Sequence, residues 1–324
     1  MKYRLLGRTN LRVSELCLGT MTFRWTCTED EAYQVMDAAF AAGINFFDTA
    51  DVYSRWASGN PGGVAEEIIG KWLTRRRIPR DQIILATKVR GRMWDGPDGE
   101  GLSRAHILRA VEDSLRRLQS EYIDLYQSHS PDENTPQEET LRAYDDLVKQ
   151  GKVRFIGCSN FKVEQLREAL DISARLHLAR YDTLQPHYNL IWRSEFEKEL
   201  QALCAQENLG VIPYSPLQGG FLTGKYKRGQ PIPPNARGVN NERVKQWMQD
   251  ERALHLLDVL HEVSAARGES MTVTALAWVL TNPVVSSAII GANNVTQLNE
   301  SLGAVGKTLR AEEKQKLDAA SEWN

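Results

Sequence analysis

Short apolar runs rich in β-branched and aromatic residues alternate with helical segments along the whole of this 324-residue chain. Such alternation predicts parallel strands joined by helices, because a connection between two parallel strands must cross the sheet and is usually a helix. The predicted strands are 16–18, 44–48, 83–88, 123–127, 153–158, 183–185, 210–214 and 287–290. Eight such units predict an α/β fold of the (β/α)8 TIM-barrel type, with residues 1–324 as a single domain.

Capping residues mark where several of the helices begin. Thr28 and Glu31 have the spacing of a capping box, and Ser103 is predicted to cap a second helix. Thr135 is predicted to cap a third helix, with Pro136 as its first residue. The remaining predicted helices are 65–73, 163–176, 195–208, 253–267, 272–282 and two more that close the chain.

Two segments depart from the alternation. Residues 4–16 contain Gly7 and Asn10 between short apolar stretches, which predicts an N-terminal hairpin that closes the floor of the barrel. Residues 218–250, after the seventh strand, are rich in Gly, Pro, Asn and Arg and are predicted to form a long loop. Loops of this length in compact domains are usually functional or disordered. Since this loop follows a strand end, we expect it to cover a bound cofactor.

Composition narrows the class of partner. Charged residues make up 25% of the chain and the formal net charge is -2, so neither nucleic acid nor a charged membrane surface is expected as a partner. The chain has no run of about 18 apolar residues and no apolar core near its N-terminus. Four cysteines, Cys17, Cys27, Cys158 and Cys204, lack metal-ligand spacing and predict reduced thiols in a cytoplasmic protein without a metal site.

Four polar residues at the ends of three successive predicted strands are candidates for catalysis: Asp48, Tyr53, Lys88 and His129. In a barrel of this kind, catalytic side chains project from the C-terminal ends of different strands and meet at one mouth. A tyrosine has an unperturbed pKa of about 10, and a nearby ammonium group lowers it by stabilising the phenolate. We therefore expect Lys88 to lower the pKa of Tyr53, and Asp48 to hold Lys88 charged and oriented.

Seven fragments occur in one order along the chain: FDTADVY at 47–53, LATK at 85–88, YIDLYQSH at 122–129, IGCSNF at 156–161, LQPHYN at 184–189, YSPLQGGFLTGKY at 214–226 and AIIGANN at 288–294. Through these fragments the chain resembles the aldo-keto reductases over nearly its full length. That family has the (β/α)8 fold and reduces aldehydes and ketones reversibly with a nicotinamide nucleotide, usually the phosphorylated form. The resemblance therefore implies an oxidoreductase acting on a small carbonyl compound.

The resemblance also implies roles for individual residues. Tyr53 would be the general acid, Lys88 and Asp48 would tune it, and His129 would orient the carbonyl group. Ser159, Asn160 and Gln185 would hold the nicotinamide carboxamide, and Tyr214 would stack on the ring. The further cofactor contacts that it implies are Gly19, Thr20, Met21, Asp48, Ser215, Pro216, Leu217, Gly219, Leu222, Lys225, Ile290, Gly291, Ala292, Asn293, Gln297 and Ser301.

One departure from the common family pattern affects the choice of cofactor. Many relatives place lysine or arginine where this chain has residues 291–294, Gln297 and Ser301, because a cationic fork suits the 2′-phosphate of the nucleotide. Lys225, Arg228 and Arg237 of the long loop are alternative basic groups. NADPH is the expected cofactor by family resemblance, and NADH or use of both nucleotides remains open.

A second departure lies beside Tyr53. Ser54 stands where glycine is frequent, and the longer loop at 55–63 brings Trp56 near the mouth. Aromatic residues in or near the loops at strand ends predict a substrate pocket for a hydrophobic or sugar-like carbonyl compound. These pocket residues are Phe23, Trp25, Trp56, Trp94 and Trp192. The histidines other than His129, among them His106 and His187, are expected to be surface or core residues.

Two alternatives to a reductase remain open. A lysine at a barrel strand end can form a Schiff base, which would make Lys88 the nucleophile of a lyase. The chain also resembles the potassium-channel β subunits, which share the reductase fold and retain the nucleotide site, so a regulatory or redox-sensing protein is possible. The sequence leaves open whether the protein is a monomer or a homo-oligomer.

Overall fold

A computed structural model describes residues 1–322, apart from the side chains at positions 237 and 240. Within this range eight parallel strands form one curved sheet, in the order β10, β3, β4, β5, β6, β7, β8, β9. Their bounds are β3 Leu16–Gly19, β4 Phe46–Asp48, β5 Ile84–Val89, β6 Ile123–Ser128, β7 Val153–Ser159, β8 Tyr181–Gln185, β9 Gly210–Val211 and β10 Ala288–Gly291. The sheet closes between β9 and β10, where Val211 bridges Val285 and the Ile289 N–H donates to the Pro213 carbonyl at 2.9 Å. The predicted (β/α)8 barrel is confirmed.

An antiparallel hairpin of β1 (Tyr3–Leu5) and β2 (Arg12–Ser14) precedes the barrel, as predicted. Its apolar residues Leu6, Leu11 and Val13 are buried in the same cluster as the inward-facing side chains of the barrel strands. Gly7 of the hairpin has a φ of 56°, and a Cβ at this position would lie 2.3 Å from the backbone nitrogen of Gly210, where β9 begins. The hairpin therefore packs against the N-terminal ends of the strands and closes that end of the barrel.

Helices surround the sheet. Their bounds are α1 Glu29–Ala41, α2 Val64–Arg76, α3 Arg104–Leu118, α4 Gln137–Lys149, α5 Val163–Leu176, α6 Gln201–Gln206, α7 Glu242–Trp247, α8 Glu251–Arg267, α9 Met271–Thr281, α10 Val295–Leu302 and α11 Ala311–Ala320. The capping box of Thr28 with Glu31 and the cap at Ser103 are both confirmed. In the described part of the chain, no helix combines the length and the apolar character that crossing a bilayer requires.

The predicted start of α4 was wrong by one residue. Pro136 has a ψ of 133°, so it is not the first helical residue but the residue before the helix. Thr135 does not cap the helix, because its hydroxyl donates to the Asp132 carboxylate at 2.8 Å. The side chain that would have capped the helix is used instead to organise the loop after β6.

Three larger differences from the prediction lie between residues 195 and 250. The seventh strand stops at Val211 rather than 214, since Pro213 has no N–H to donate to a neighbouring strand. The helix predicted for 195–208 begins with a π-helical turn, Phe196–Leu200, before α6. The long loop at 218–250 is not wholly irregular, because it contains 3-10 turns at Gln218–Thr223 and Arg237–Asn240 and the short helix α7.

Candidate active site

The ends of β4, β5 and β6 bring the predicted catalytic residues to one mouth of the barrel. Asp48 is the last residue of β4, Lys88 lies one residue before the end of β5, and His129 directly follows β6. The register pairs Asp48 with Ala86 and Lys88 with Gln127, so the three strand ends lie side by side. Tyr53 reaches the same place from the loop between β4 and α2.

The Lys88 ammonium is the centre of the cluster. Its Nζ donates to Asp48 Oδ1 at 2.5 Å, to the Thr49 carbonyl at 2.8 Å and to the Tyr53 hydroxyl oxygen at 2.8 Å. Lys88 and Asp48 are completely or almost completely buried, and Tyr53 is 8% exposed. An ammonium group has three donors, so each of its protons has an acceptor here.

Two amides hold the other oxygen of Asp48. The Nε2 groups of Gln127 and Gln185 donate to Asp48 Oδ2 at 3.1 and 3.0 Å, and Gln185 Nε2 also donates to Gln127 Oε1 at 3.2 Å. Gln127 was not among the residues predicted from sequence. The sequence contained one indication of it. Side chains two residues apart on a strand face the same side, and Leu125 faces the barrel interior, so the Gln127 amide is buried there as well.

Burial changes the ionisation of this cluster in a direction that the sequence did not predict. Burial alone would lower the pKa of Lys88, but the neighbouring Asp48 and Tyr53 raise that pKa to about 12. Burial raises the pKa of Tyr53 to about 12 as well, although Lys88 acts to lower it as expected. The expectation of a net lowering for Tyr53 was therefore wrong, because desolvation of the phenolate outweighs the attraction of the ammonium.

His129 faces Tyr53 across the mouth. The two ring centroids are 5.8 Å apart in a T-shaped arrangement. Burial of most of the imidazole, with the nearby positive charges of Lys88 and Arg90, lowers the pKa of His129 to about 3. A neutral imidazole can donate one N–H and accept at its other nitrogen. His129 is thus suited to hydrogen bonding with an oxygen atom rather than to carrying charge.

A chain of hydrogen bonds joins the end of β7 to this mouth. The Ser159 hydroxyl donates to the Gln185 carbonyl at 2.9 Å, and Asn160 Nδ2 donates to the His129 carbonyl at 3.0 Å. The Tyr214 hydroxyl donates to Asn160 Oδ1 at 2.9 Å. The residues that the family resemblance assigned to the nicotinamide therefore form one connected network beside His129.

Three aromatic rings stack behind this network. The His187 ring stacks on the Tyr214 ring, with centroids 4.9 Å apart and an interplanar angle of 9°, and on the Trp192 ring at 5.0 Å and 22°. His187 Nε2 is 2.6 Å from Gln218 Oε1, and burial lowers the pKa of His187. No role was predicted for His187, because its stacking on Tyr214 depends on β8 meeting the segment after β9.

The other predicted pocket residues fall into two groups. Trp25 and Trp56 meet edge to face at 5.5 Å, and Trp56 lies 6.3 Å from the Tyr53 ring, so these tryptophans are at the mouth. Phe23 is fully buried below them. Trp94 instead packs against His106 at 4.8 Å and beneath the Arg109 guanidinium at 4.1 Å, both on α3.

Ser54 ties two of the mouth loops together. Its φ of 66° lies in the left-handed region, which explains why glycine suits this position. Its hydroxyl donates to the Phe23 carbonyl at 2.5 Å. The serine thus links the loop that carries Tyr53 to the loop that carries Trp25.

The segments expected to contact a cofactor lie at the C-terminal ends of β3, β9 and β10. Gly19 ends β3, Thr20 donates its N–H to the Asp48 carbonyl at 3.0 Å, and Met21 follows. Residues 215–224, after β9, contain positive φ values at Ser215, Gln218, Gly219, Gly220 and Gly224. The expected contacts in this segment are Ser215, Pro216, Leu217, Gly219 and Leu222.

The third segment follows β10 and has no cationic side chain. Ile290 and Gly291 end the strand, and Ala292 is buried. Gln297 Oε1 accepts the Asn293 N–H at 3.0 Å, and the Ser301 hydroxyl donates to the Gln297 carbonyl at 3.2 Å. Of the alternative basic groups in the long loop, Arg228 is paired with Glu251 and Asp258, and Lys225 lies over the Tyr226 ring at 5.8 Å. The Arg237 side chain lies outside the described residues.

Comparison with known proteins agrees with this geometry. A family model described as the Aldo/keto reductase family matches residues 15–322. The chain is 39% identical to YrpG, an uncharacterised oxidoreductase of Bacillus subtilis (strain 168), over 96% of this chain and 93% of that protein. It is 36% identical to a probable voltage-gated potassium channel subunit beta of Oryza sativa subsp. japonica, over 94% of this chain and 91% of the relative. It is 35% identical to an L-glyceraldehyde 3-phosphate reductase of Escherichia coli O157:H7, over 98% of this chain and 92% of that enzyme. With a matching model over most of its length and relatives of this identity, the chain belongs to the aldo/keto reductase family.

Proposed function

We propose that this protein reduces an aldehyde or ketone to the alcohol, reversibly, with a nicotinamide nucleotide as the hydride donor. The observation that carries the proposal is the 2.8 Å hydrogen bond from the Lys88 ammonium to the Tyr53 hydroxyl, beside the neutral imidazole of His129. These groups offer a proton and a second hydrogen bond at one place. Both are what a carbonyl oxygen needs when it gains negative charge.

The protein's part in the reaction is proton transfer and orientation, since the nucleotide supplies the hydride when it is bound. Tyr53 keeps its proton at neutral pH and donates it to the carbonyl oxygen as negative charge grows there. Lys88 then stabilises the phenolate through its direct hydrogen bond, and Asp48 keeps Lys88 protonated and fixed. A neutral His129 donates an N–H to the same oxygen and so orients the carbonyl group.

Residues at several strand ends would hold a dinucleotide. Five positive φ values between Ser215 and Gly224, three of them at glycines, let this segment bring its backbone close to a ligand. Ser159, Asn160 and Gln185 would hold the nicotinamide carboxamide, with Tyr214 against the ring. Gly19 to Met21 and Ile290 to Ser301 would line the rest of the site, and residues 218–250 would cover it.

NADPH is our first candidate for the nucleotide, because the family usually uses it. Residues 290–301 contain no lysine or arginine to bind a 2′-phosphate, so NADH or the use of both nucleotides is the alternative. The four cysteines are free and buried, which fits a reducing compartment such as the cytoplasm. We further propose a small carbonyl compound as substrate, as for the relative named L-glyceraldehyde 3-phosphate reductase, with Trp25 and Trp56 at the rim.

A nucleotide-binding regulatory role is the second candidate. Two relatives, from Oryza sativa subsp. japonica and Arabidopsis thaliana, are named as probable voltage-gated potassium channel beta subunits. A Schiff-base lyase has less support. Lys88 is held protonated by Asp48 and is fully enclosed, whereas a nucleophilic lysine must lose its proton.

Replacing Tyr53 by phenylalanine tests the reductase proposal. We expect kcat for aldehyde reduction to fall by about 10²- to 10⁴-fold, the usual contribution of a general acid, while tryptophan fluorescence still reports nucleotide binding. Tyr126→Phe is the matched control, because the buried Tyr126 hydroxyl has no hydrogen-bond partner in the described structure. Nucleotide binding without turnover in the wild type, over a broad panel of carbonyl compounds, would favour the regulatory role instead.

A further inference from the structure

A polar cavity of about 320 Å³ lies beside the catalytic mouth. It is lined by Arg90, Pro131, Glu133, Asn134, Asn160, Lys162 and Gln165. Arg90 directly follows β5, whereas Asn160 directly follows β7 and Lys162 directly precedes α5. The cavity therefore opens among the same strand ends that carry Lys88 and His129.

Two contacts connect this cavity to His129. The His129 N–H donates to the carbonyl of Val89, the residue before Arg90, at 3.0 Å. Asn160 Nδ2 donates to the His129 carbonyl at 3.0 Å. Neighbouring strands are about 4.8 Å apart, so a group in this cavity and a group held by His129 are within reach of one small molecule.

Arg90 and Lys162 are the two cations that line the cavity. The Arg90 Nε–H is buried without a hydrogen-bond partner, and neither Arg90 nor Lys162 forms an ion pair with the described residues. Nearby arginines are paired, Arg92 with Glu100 and Arg117 with Glu66. A buried guanidinium N–H without an acceptor is costly, which suggests that the acceptor belongs to a ligand.

Two carboxylates lie near the two cations. Asp132 interacts electrostatically with Arg90, but its oxygens accept hydrogen bonds from the Leu102 N–H, the Asn134 N–H and the Thr135 hydroxyl. Glu133 lines the cavity and forms no ion pair with Arg90 or Lys162 in the described structure. The α5 dipole has its positive end beside the cavity, because α5 begins at Val163 and runs for 14 residues, and Glu164 in its first turn offsets part of that field.

The backbone of Arg90 is strained in a way that fits a binding role. Its φ is 147°, a region that residues with side chains rarely adopt, and its carbonyl is held by the Gly101 N–H at 2.9 Å. Strain of this kind persists only where the surroundings fix it, and it clusters at functional sites. The strained turn places Arg90 at the cavity rather than along the line of β5.

We propose that this cavity binds the anionic group, a phosphate or a carboxylate, of the carbonyl substrate, through Arg90 and Lys162. The inference rests on the proposed reductase function, and it adds the class of substrate: a small aldehyde or ketone with a negative group a few bonds from its carbonyl carbon. An arginine fork with a lysine point charge suits both anions. Asn134 supplies an amide group at the edge of the same cavity.

Lys162→Gln and Arg90→Gln test the proposal through substrate selectivity. The ratio of kcat/KM for glyceraldehyde 3-phosphate to that for uncharged glyceraldehyde is measured in the wild type and in each variant. A second pair, succinic semialdehyde and butanal, distinguishes carboxylate from phosphate. We expect the ratio for the preferred anion to fall by about 10- to 100-fold in each variant, the effect of removing one charge-assisted hydrogen bond.

Arg90 also acts on the ionisation of His129, so its replacement could alter the turnover of every substrate. An effect common to the charged and the uncharged aldehyde cancels in the ratio, which then reports the contribution of the anionic group. Lys198→Gln is the control for a lost positive charge, since Lys198 is exposed on the turn 196–200. An unchanged ratio in both cavity variants, with uncharged glyceraldehyde still reduced, would overturn the anion site and leave the reductase function standing.

Inorganic phosphate gives a readout that does not depend on turnover. Titration calorimetry should show phosphate binding to the nucleotide-saturated protein that is lost in Lys162→Gln and Arg90→Gln but kept in Lys198→Gln. Phosphate binding that is equal in all four proteins, or phosphate that competes with the nucleotide rather than with the aldehyde, would refute the assignment. Absence of carbonyl reduction would refute only the proposed function, because the phosphate titration would still show whether the cavity binds an anion.

Discussion

Lys88 is fully buried and yet charged, because its three donors meet three acceptors on Asp48, Thr49 and Tyr53. A buried ion pair of this kind adds little net stability compared with apolar side chains, but the removal of one partner leaves an uncompensated buried charge. The loss of stability on removing Lys88 therefore arises from the unpaired charge of Asp48. Its proposed role in proton transfer instead depends on the hydrogen bond to Tyr53.

We predict that Lys88→Met lowers the free energy of unfolding by about 3–5 kcal/mol and abolishes carbonyl reduction. Adding Asp48→Asn should recover part of that stability without restoring activity, because the amide needs no counter-charge. Urea unfolding of the two single variants and the double variant measures the coupling. Strictly additive losses would show that the two side chains do not interact energetically.

The low pKa of His129 makes stability depend on pH. The unfolded histidine takes up a proton below pH 6.5, whereas burial lowers the folded pKa to about 3. Stability from the neutral form is therefore fully present above pH 6.5 and decreases as the pH falls toward 3, by up to about 1.4 kcal/mol per pH unit. We predict a shallower loss in His129→Gln over this window, as measured by urea midpoints at several pH values. Equal slopes in the wild type and the variant would contradict this, and the exposed His255→Gln is the control.

At the scale of elements, the barrel separates stability from chemistry. The hairpin β1–β2 closes the N-terminal end of the barrel, and the residues proposed to be catalytic occupy the opposite end. In barrels of this fold the N-terminal face contributes mainly to stability. The two ends can therefore be tested independently.

We predict that Leu6→Ala destabilises the protein by about 2–5 kcal/mol and leaves kcat unchanged below its unfolding temperature. Leu6 is fully buried in the hairpin, whereas its neighbour Leu5 is 57% exposed and serves as the control. Denaturant midpoints and initial rates measure the two effects. A fall in kcat without a loss of stability would mean that the floor of the barrel communicates with its mouth.

Features that depend on a single strand or helix could be predicted from the sequence. The strand-end positions of Asp48, Lys88 and His129 were predicted because each of these residues ends or follows an apolar run. Prediction failed where the outcome depended on neighbouring elements. The position of His187 beneath Tyr214 requires β8 to meet the segment after β9, and the raised pKa of Tyr53 reflects burial by the whole mouth.

Cysteines, charge balance and strand count predicted the class of the whole molecule, but they do not separate an enzyme from a nucleotide-binding regulator. Both candidates share the fold, and relatives of both names match over at least 94% of this chain. The four residues predicted to be catalytic lie together here. Nucleotide binding is therefore the property that either candidate must have.

We predict that NADPH, at 100 times its Kd, stabilises the folded protein by about 2.7 kcal/mol and raises its Tm in a concentration-dependent way. NADH should also stabilise it, because residues 290–301 provide no cation to discriminate between the two nucleotides. Thermal unfolding with each nucleotide, and with adenosine as control, measures the effect. The absence of any shift with both nucleotides would exclude the enzyme and the regulator alike.

Asp48 receives hydrogen bonds from Lys88, Gln127 and Gln185, so one carboxylate joins side chains from β4, β5, β6 and β8. The groups proposed to react are consequently also part of the bonds that hold the barrel together. The residues proposed to face a substrate, such as Trp56 and Lys162, stand on loops outside this network. Exchanging loop residues would therefore alter the choice of substrate with little effect on the barrel, whereas a substitution at the centre would weaken both the proposed activity and the fold.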